Sequence, residues 1–325
     1  MKISIMGTNG FLSTAIAKYA NKEHWALDMY GLDTPVRHKY DNFYKMNLMD
    51  TEMDCSGLMD SDIVIYAIGA GIQANLQEDF NLIYNLNVTA PVNICNKLKE
   101  LDYKGIFVTF GSVFEMGETK EERFFTEEDV LTSLCPTSND YTVSKRMLSK
   151  FVASYKHGFR HWHFYIPTIY GAGENPKRLI PYVINAIRNG EELHFTAGEQ
   201  TRQYVHVNDV PRLLAMAFEK GLPSGLYNIE GKETLTVKEI VTLIHQAMGK
   251  QVPEGCFGSV QRADVGMKYL ALDGKKLKNT IGFEATVKIT DTNEIKITFD
   301  SDSNSKSRRY FEIYDRKFYR SDCDK

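Results

Sequence analysis

Short apolar runs alternate along the chain with segments of helical spacing. Runs with the length of β-strands lie at 2–6, 26–32, 43–46, 62–68, 105–110 and 163–166, and helical spacing is found at 15–20, 87–98 and 144–155. The run at 62–68 is almost continuously apolar, which is typical of a strand buried on both faces of a parallel sheet. We therefore predict the α/β fold class, with a doubly wound parallel sheet that helices cover on both faces.

A glycine turn at 7–13 follows the first strand and opens the first helix. Glycines let the backbone approach a pyrophosphate, and a helix N-terminus offers free N–H groups and the positive end of the helix dipole. The usual pattern has a third glycine where this chain has Ser13, which is small enough for close packing of helix on strand. The turn predicts a dinucleotide site that includes Gly7, Asn9, Gly10, Phe11 and Leu12, with Ala67, Ile68 and Gly69 at the end of the fourth strand.

The second strand ends near Asp33, twenty residues after Ser13. An acidic side chain there accepts hydrogen bonds from the adenosine ribose and favours NAD over NADP. Arg37, His38 and Lys39 follow and would instead hold a 2′-phosphate, unless they form a solvated loop. The cofactor is thus NAD or NADP, with NAD favoured by Asp33.

Tyr141 and Lys145 stand four residues apart at the start of a helical segment. Residues i and i+4 share one face of a helix, so the phenol and the ammonium group can face the same cavity. A free tyrosine has a pKa of about 10, and a cation within roughly 4–6 Å favours the phenolate. The pair suggests acid/base chemistry, although a surface helix carrying the two residues is the commoner origin of such spacing.

Together these features resemble the extended short-chain dehydrogenase/reductase family, which contains nucleotide-sugar epimerases, dehydratases and ketoreductases. The resemblance extends from residue 1 to about residue 283. It rests on the glycine turn, the pair Gly111-Ser112 and the Tyr141-x-x-x-Lys145 motif, with further similar stretches at 163–173, 198–210, 225–229 and 262–265.

The resemblance implies roles for the central residues. Tyr141 would be the acid/base, Lys145 would hold the nicotinamide ribose and lower the tyrosine pKa, and Ser112 would bond the oxygen on the reacting carbon. Hydride transfer at a carbinol carbon needs such a proton partner within hydrogen-bond reach of the oxygen, and the cofactor supplies the hydride. Tyr141 and Lys145 would also contact the cofactor, together with Asn47, Leu48, Asn87, Pro167 and Thr168.

Two lobes and a substrate class are also implied. A Rossmann-type dinucleotide-binding domain would comprise 1–170 and 203–226, a smaller discontinuous lobe for a nucleotide-diphosphate sugar would comprise 171–202 and 227–300, and a polar tail would comprise 301–325.

Three residues are implied as substrate contacts. Arg202 and Arg262 would clamp the diphosphate, because a guanidinium binds phosphate oxygens in a bidentate fork. An ion pair on the surface or between lobes is the alternative for each. Glu115, in the loop after Ser112, would contact the sugar or serve in packing.

The residues after Ser112 bear on the reaction. Dehydratases of the family carry Thr-Asp-Glu where this chain has Ser112-Val113-Phe114, and neither Val113 nor Phe114 can act as acid or base. The favoured prediction is a 4-ketoreductase that uses NAD(P)H to reduce a nucleotide-linked 4-keto-6-deoxyhexose. An NAD-dependent 4-epimerase is the alternative; Thr168, where many members have asparagine, and Ser13 favour an exchanging cofactor and hence the reductase. A non-catalytic dinucleotide-binding relative would be expected to lack Tyr141 or Lys145.

Composition narrows the class of protein. With 43% apolar residues, 25% charged residues and a formal net charge of −3 over 325 residues, no nucleic-acid or membrane partner is expected. No apolar run approaches the roughly 20 residues that span a bilayer, and the glycine turn begins too early for a signal peptide. Five scattered cysteines predict reduced thiols in a cytoplasmic protein, and His161 and His163 lack a third ligand for a metal centre. By analogy with the family, helices near 78–98 and 144–156 predict a homodimer interface.

Overall fold

The computed structural model describes residues 1–50, 52–71, 79–137, 139–260 and 267–289, with the backbone of two short strands at 296–297 and 313–314. A sheet of seven parallel strands has the order β3-β2-β1-β4-β5-β6-β9. The strands are β1 (Lys2–Met6), β2 (Ala26–Gly31), β3 (Asn42–Lys45), β4 (Ile63–Tyr66), β5 (Ile106–Ser112), β6 (Arg160–Ile166) and β9 (Gly225–Asn228). The order reverses between β1 and β4, so the predicted doubly wound α/β fold is confirmed.

Helices cover both faces of this sheet, and the side chains of β4 show why. Ile63 and Ile65 belong to an apolar cluster on one face, whereas Val64 and Tyr66 belong to the cluster on the other. The helices of the described residues are α1 (Phe11–Lys22), α2 (Phe80–Tyr84), α3 (Ala90–Glu100), α4 (Glu127–Thr132), α5 (Asp140–Ser154), α6 (Leu179–Asn189), α7 (Asp209–Glu219), α8 (Val237–Ala247) and α9 (Lys275–Ile281). Of these, none has the length and apolar character that a membrane crossing requires.

A second, smaller sheet is built around β8 (Thr201–His206). Its neighbours are β10 (Glu233–Thr236), β11 (Tyr269–Leu270) and β7 (Thr168–Tyr170), and α6 and α8 contribute apolar side chains to the cluster beside it. Within the span 203–226, predicted to return to the main sheet, β9 begins at Gly225 and pairs with β6, whereas β8 pairs with β7 directly after β6. The division into two lobes stays a prediction.

Alternating apolar residues at 287–290 and 294–299 predict two strands near the end of the chain, and the first prediction is wrong over its described part, 287–289. Asp209 accepts hydrogen bonds from the backbone N–H groups of Thr286 and Val287, and Glu233 accepts one from the N–H of Ile289. Side-chain carboxylates thus take the donors that a strand would give to a neighbour. Within the run predicted at 294–299, β12 (Lys296–Ile297) pairs with β13 (Ile313–Tyr314). Most of the predicted 301–325 tail lies outside the described residues.

We predict that Asp209→Ala destabilises the fold. Asp209 is 1% exposed and accepts from the N–H and the hydroxyl of Thr286, the latter at 2.8 Å, and from Arg212 at 2.9 Å. Its loss removes a buried acceptor shared by the N–H groups of Thr286 and Val287 and by the Arg212 guanidinium, so the free energy of unfolding should fall by about 2–4 kcal/mol in a urea titration. Asp60→Ala removes an exposed partner of Lys2 and should cost less than about 1 kcal/mol. Equal losses in the two variants would contradict this account.

Candidate functional site

The glycine turn is shaped by close backbone approach. Gly7 has a φ of +105°, and a Cβ on it would lie 2.8 Å from Ile68 Cγ1 and 3.2 Å from the carbonyl oxygen of Ala67. Gly10 caps α1 without a side-chain hydrogen bond to the helix, so the first N–H groups of the helix, beginning at Phe11 and Leu12, point out of the turn. The structure therefore brings the predicted turn residues against the end of β4, as a pyrophosphate site requires.

Ser13, the departure from the usual glycine, is fully buried. Its hydroxyl donates a hydrogen bond of 3.1 Å to the carbonyl oxygen of Gly10. The polar group is thus satisfied inside the turn, and close packing of helix on strand is retained.

Asn9 positions the loop that follows β2. Its amide nitrogen donates to the carbonyl oxygen of Thr34 at 3.2 Å, and its amide oxygen accepts from the N–H of Val36 at 3.0 Å. Asp33 and Arg37 lie exposed in this loop. Asn9 therefore fixes the loop that carries Asp33, the residue predicted to bond the adenosine ribose.

Asn87 joins the loop after β4 to the helix that carries Tyr141 and Lys145. It lies in a π-helical turn between α2 and α3 and is fully buried. Its amide accepts from the N–H of Ala70 at 3.0 Å and donates to the Ala70 carbonyl and to Ser144 Oγ, each at 2.9 Å. Gly69 lies between Asn87 and Lys145, since a Cβ there would be 3.4 Å and 3.7 Å from their polar atoms.

The remaining predicted cofactor residues occupy other strand ends. Leu48 is buried and Asn47 forms a turn with Asp50 after β3. Pro167 and Thr168 link β6 to β7, where the two sheets meet.

Ser112, Tyr141 and Lys145 meet at the carboxyl end of β5. Ser112 is the last residue of that strand, and the other two lie on the first turns of α5. Lys145 Nζ donates to the carbonyl oxygen of Phe110 at 3.0 Å and lies 5.9 Å from the centroid of the Tyr141 ring. All three are less than 10% exposed. The shared face predicted from the spacing of Tyr141 and Lys145 is confirmed.

Burial dominates the acid/base properties of this group. It raises the pKa of Tyr141 to about 12, against the opposing effects of a hydrogen bond with Ser112 and the charge of Arg178. Burial also lowers the pKa of Lys145 to about 8. The expectation that Lys145 lowers the tyrosine pKa stays a prediction, and in the protein without its cofactor the desolvation of the phenol is the largest effect on that pKa.

Glu115 is not placed for the sugar contact that the resemblance implied. It is 0% exposed; one carboxylate oxygen accepts from the N–H of Ser112 at 2.8 Å and the other from Ser149 Oγ at 2.6 Å. The cause is local: Ser112 and Glu115 form a capping box around the 3-10 turn Val113–Met116, which directs the carboxylate back into the protein. Burial raises the pKa of Glu115 to about 7.

A buried polar chain continues behind Glu115. Ser149 Oγ lies 3.0 Å from His163 Nε2, His163 Nδ1 lies 2.8 Å from Thr109 Oγ1, and that hydroxyl lies 2.9 Å from His161 Nε2. Gly111 leaves the necessary room, because a Cβ on it would lie 2.7 Å from both Glu115 and His163. The histidines of the H-x-H pattern therefore share one hydroxyl inside the sheet.

Arg178, an arginine near Tyr141, is one that the sequence interpretation missed. Arg178 caps α6 and pairs with buried Glu174 at 2.9 Å, and its charge opposes the raised pKa of both Tyr141 and Tyr204. Arg202, on β8, also acts on Tyr204, whereas Arg262 lies outside the described residues. The i, i+4 spacing of Glu174 and Arg178 was the available signal.

Comparison with known proteins agrees with this geometry. CDP-abequose synthase of Salmonella muenchen is 23% identical over 252 residues, which cover 75% of this chain and 79% of the relative. The chain spans about half the length of the curated dTDP-glucose 4,6-dehydratases that it matches.

Two solved structures share the fold. One is UDP-glucose 4-epimerase of Thermotoga maritima with UDP-glucose, at a TM-score of 0.77 and 20% identity, covering 90% of this chain and 96% of that one. The other is DesIV, a dTDP-glucose 4,6-dehydratase of Streptomyces venezuelae with NAD and TYD bound, at 0.76 and 18%, covering 90% and 94%.

The family assignment follows from the length of chain that matches. The family's sequence profile matches residues 3–229, from β1 through β9. The glycine turn, the free helix N-terminus and the buried Tyr141–Lys145 pair fit its NAD cofactor, which agrees with the preference for NAD drawn from Asp33. The chain belongs to the NAD dependent epimerase/dehydratase family.

Proposed function

We propose that the protein is an NAD(P)H-dependent 4-ketoreductase of a nucleotide-linked 4-keto-6-deoxyhexose. The cofactor would supply the hydride, and Tyr141 would deliver the proton to the oxygen at the reacting carbon, with Ser112 orienting that oxygen. Lys145 would hold the ribose and balance charge in the desolvated space. Such positioned proton transfer contributes about 10²- to 10⁴-fold to a rate.

The observation that carries this proposal is the set of groups beside Tyr141. Val113 is buried, Phe114 is apolar, and the Glu115 carboxylate is held inside the protein by Ser112 and Ser149. Within the described part of the site, no carboxylate at 113–115 is thus placed to remove or donate a proton at the sugar. This supports carbonyl/carbinol chemistry over elimination of water.

The choice between reductase and 4-epimerase depends on finer features. Thr168 in place of asparagine favours looser binding and an exchanging cofactor. Ser13 no longer adds to that argument, because its hydroxyl is satisfied within the turn. The name of the CDP-abequose relative points to synthesis of a nucleotide-linked sugar, whereas the Thermotoga structure keeps the 4-epimerase as the alternative. A non-catalytic role is disfavoured because Tyr141 and Lys145 are both present and buried.

We predict that Tyr141→Phe removes the proton donor of the reaction. With NADH or NADPH and a nucleotide-linked 4-keto-6-deoxyhexose, the wild-type protein should consume the reduced cofactor stoichiometrically. The loss of the absorbance of the reduced cofactor measures this consumption. Loss of the proton donor should lower kcat by about 10²- to 10⁴-fold. Tyr155→Phe, which removes a phenol from the C-terminal end of the same helix, should leave kcat within about threefold.

Other outcomes distinguish the alternatives. If absorbance stays constant while NAD co-purifies and a nucleotide hexose interconverts with its 4-epimer, the protein is the epimerase. Equal activity of the Tyr141→Phe and wild-type proteins would contradict both catalytic proposals.

We further propose that Arg178 and Arg202 bind the diphosphate of the substrate. Both are half-buried, and Arg178 lies close enough to Tyr141 to influence its pKa. Arg178→Met should raise KM for the nucleotide sugar at least about tenfold, since a charge-assisted bond contributes about 1.5–3 kcal/mol, with a much smaller change in KM for NADH. Lys177→Met removes an exposed neighbouring cation and serves as the control. An equal rise in KM for the nucleotide sugar in both variants would indicate general electrostatic attraction instead.

The proposed assembly is a homodimer through α2 and α5. Phe80, Val143 and Met147 expose 58%, 37% and 47% of their surface on these helices, and such clustered apolar area favours association. In sedimentation velocity the wild-type chain of 37.1 kDa should form a dimer, and Met147→Asp should shift it toward monomer. Tyr182→Asp, on α6, should not. A monomeric wild-type protein would refute the interface.

A further inference from the structure

We propose that Cys95, His157 and His161 form a zinc-binding site at the amino-terminal edge of the main sheet. Cys95 lies on α3, His157 lies between α5 and β6, and His161 is the second residue of β6. One donor atom from each lies within 4.8 Å of the others. Thiolate and imidazole donors suit Zn²⁺, whereas Ca²⁺ and Mg²⁺ prefer oxygen ligands.

The donor atoms of the three residues lie closer to one another than they would in an extended hydrogen-bonded chain. Cys95 Sγ lies 3.0 Å from His157 Nδ1, and His157 Nε2 lies 3.2 Å from His161 Nδ1. The two nitrogens of an imidazole direct their lone pairs apart, so partners in line with them would be widely separated. Bond lengths of a tetrahedral zinc site give donor separations of about 3.3–3.6 Å. A single zinc ion would take one nitrogen of His157, so only the contact of that nitrogen already has about this length, and the remaining donors, within 4.8 Å of one another, would move closer on binding.

The buried chain behind His161 leaves its Nδ1 atom free of a proton. When Glu115 is ionised, Ser149 donates its single hydroxyl proton to it, so His163 donates to Ser149 through Nε2. His163 Nδ1 then accepts from Thr109, and Thr109 accepts from His161 Nε2. A neutral imidazole with its proton on Nε2 presents a lone pair on Nδ1. This is the second-shell arrangement that orients metal-bound histidines.

The surroundings offer an ion three protein ligands and access to one solvent ligand. Cys95 and His161 are buried and half-buried His157 gives access to solvent, which would supply the fourth ligand. Burial lowers the pKa of both histidines, so they are neutral at neutral pH. Burial raises the pKa of Cys95 to about 12, with Lys99 acting in the opposite direction, so binding would displace the thiol proton.

The site is separate from the catalytic group. His161 pairs with Phe107 on β5, whereas Ser112 pairs with Ile166. The two sites are therefore five residues apart along the strands, roughly 16 Å. The ion would join α3 to β6 and would act on stability rather than on the reaction.

The test uses the full-length protein, stripped with a chelator and then titrated with Zn²⁺ or with Co²⁺ as a spectroscopic probe. We expect one ion per chain by mass spectrometry, with a thiolate-to-cobalt charge-transfer band and tetrahedral d–d absorption. Bound Zn²⁺ should also raise Tm, because an ion that binds only the folded chain stabilises it.

Variants locate the ion and remain informative if one of them misfolds. Cys95→Ser should abolish the charge-transfer band, and half-buried His157→Gln should weaken binding by at least tenfold. Thr109→Val, which removes the partner of His161 Nε2, should weaken it about 10- to 100-fold. Cys55→Ser and His194→Gln are matched controls that should bind as the wild type does. Absence of the cobalt bands in the wild-type protein would overturn the proposal. It would also be overturned if the Cys95 and His157 variants bound the metal as tightly as the wild type does.

Discussion

Desolvation around Lys145 is the constraint on which the rest of the site depends. An ammonium group removed from water must be compensated by nearby polar groups, and the fold supplies the Phe110 carbonyl at 3.0 Å and the carboxylate of buried Glu115 in the same region. Three elements must converge for this: the end of β5, the π-helical turn that holds Asn87, and α5. Asn87 fixes the second and third to each other through Ser144. The catalytic geometry is therefore a property of the whole carboxyl edge of the sheet.

Much of this arrangement could be predicted because it is local in sequence. Apolar runs mark β1, β2, β4, β5 and β6, and the spacing of Tyr141 and Lys145 places them on one face of α5 whatever surrounds the helix. Glu115 shows the limit: Ser112-x-x-Glu115 has the spacing of a capping box, but only the fold shows that Ser149 takes the second carboxylate oxygen and keeps the side chain inside the protein. Arg178 approaches Tyr141 through the folding of α6, and β8 pairs with β7 rather than the main sheet, so tertiary structure decides both.

The effect of a residue that departs from a motif likewise depends on the residues that it contacts in the fold. By sequence alone, Ser13 in place of glycine favours an exchanging cofactor, yet its hydroxyl donates to Gly10 within the same turn. The wrong strand at 287–289 has a comparable cause, because alternating residues there are held by Asp209 and Glu233. In both cases the hydrogen-bond partner, which no periodicity reveals, decides the outcome.

The chain of hydrogen bonds that connects Glu115 to His161 also has a direction. Thr109 and Ser149 each carry one hydroxyl proton, so the hydrogen bonds between them and the two histidines can reverse only together. Ionised Glu115 accepts from Ser149 and leaves Nδ1 of His161 bare; protonated Glu115, donating to Ser149, would reverse every bond and place a proton on that nitrogen. The charge of Glu115, which contacts Ser112, and the tautomer of His161 at the opposite edge of the sheet are thus thermodynamically linked. The distance between them is one that no side chain spans alone.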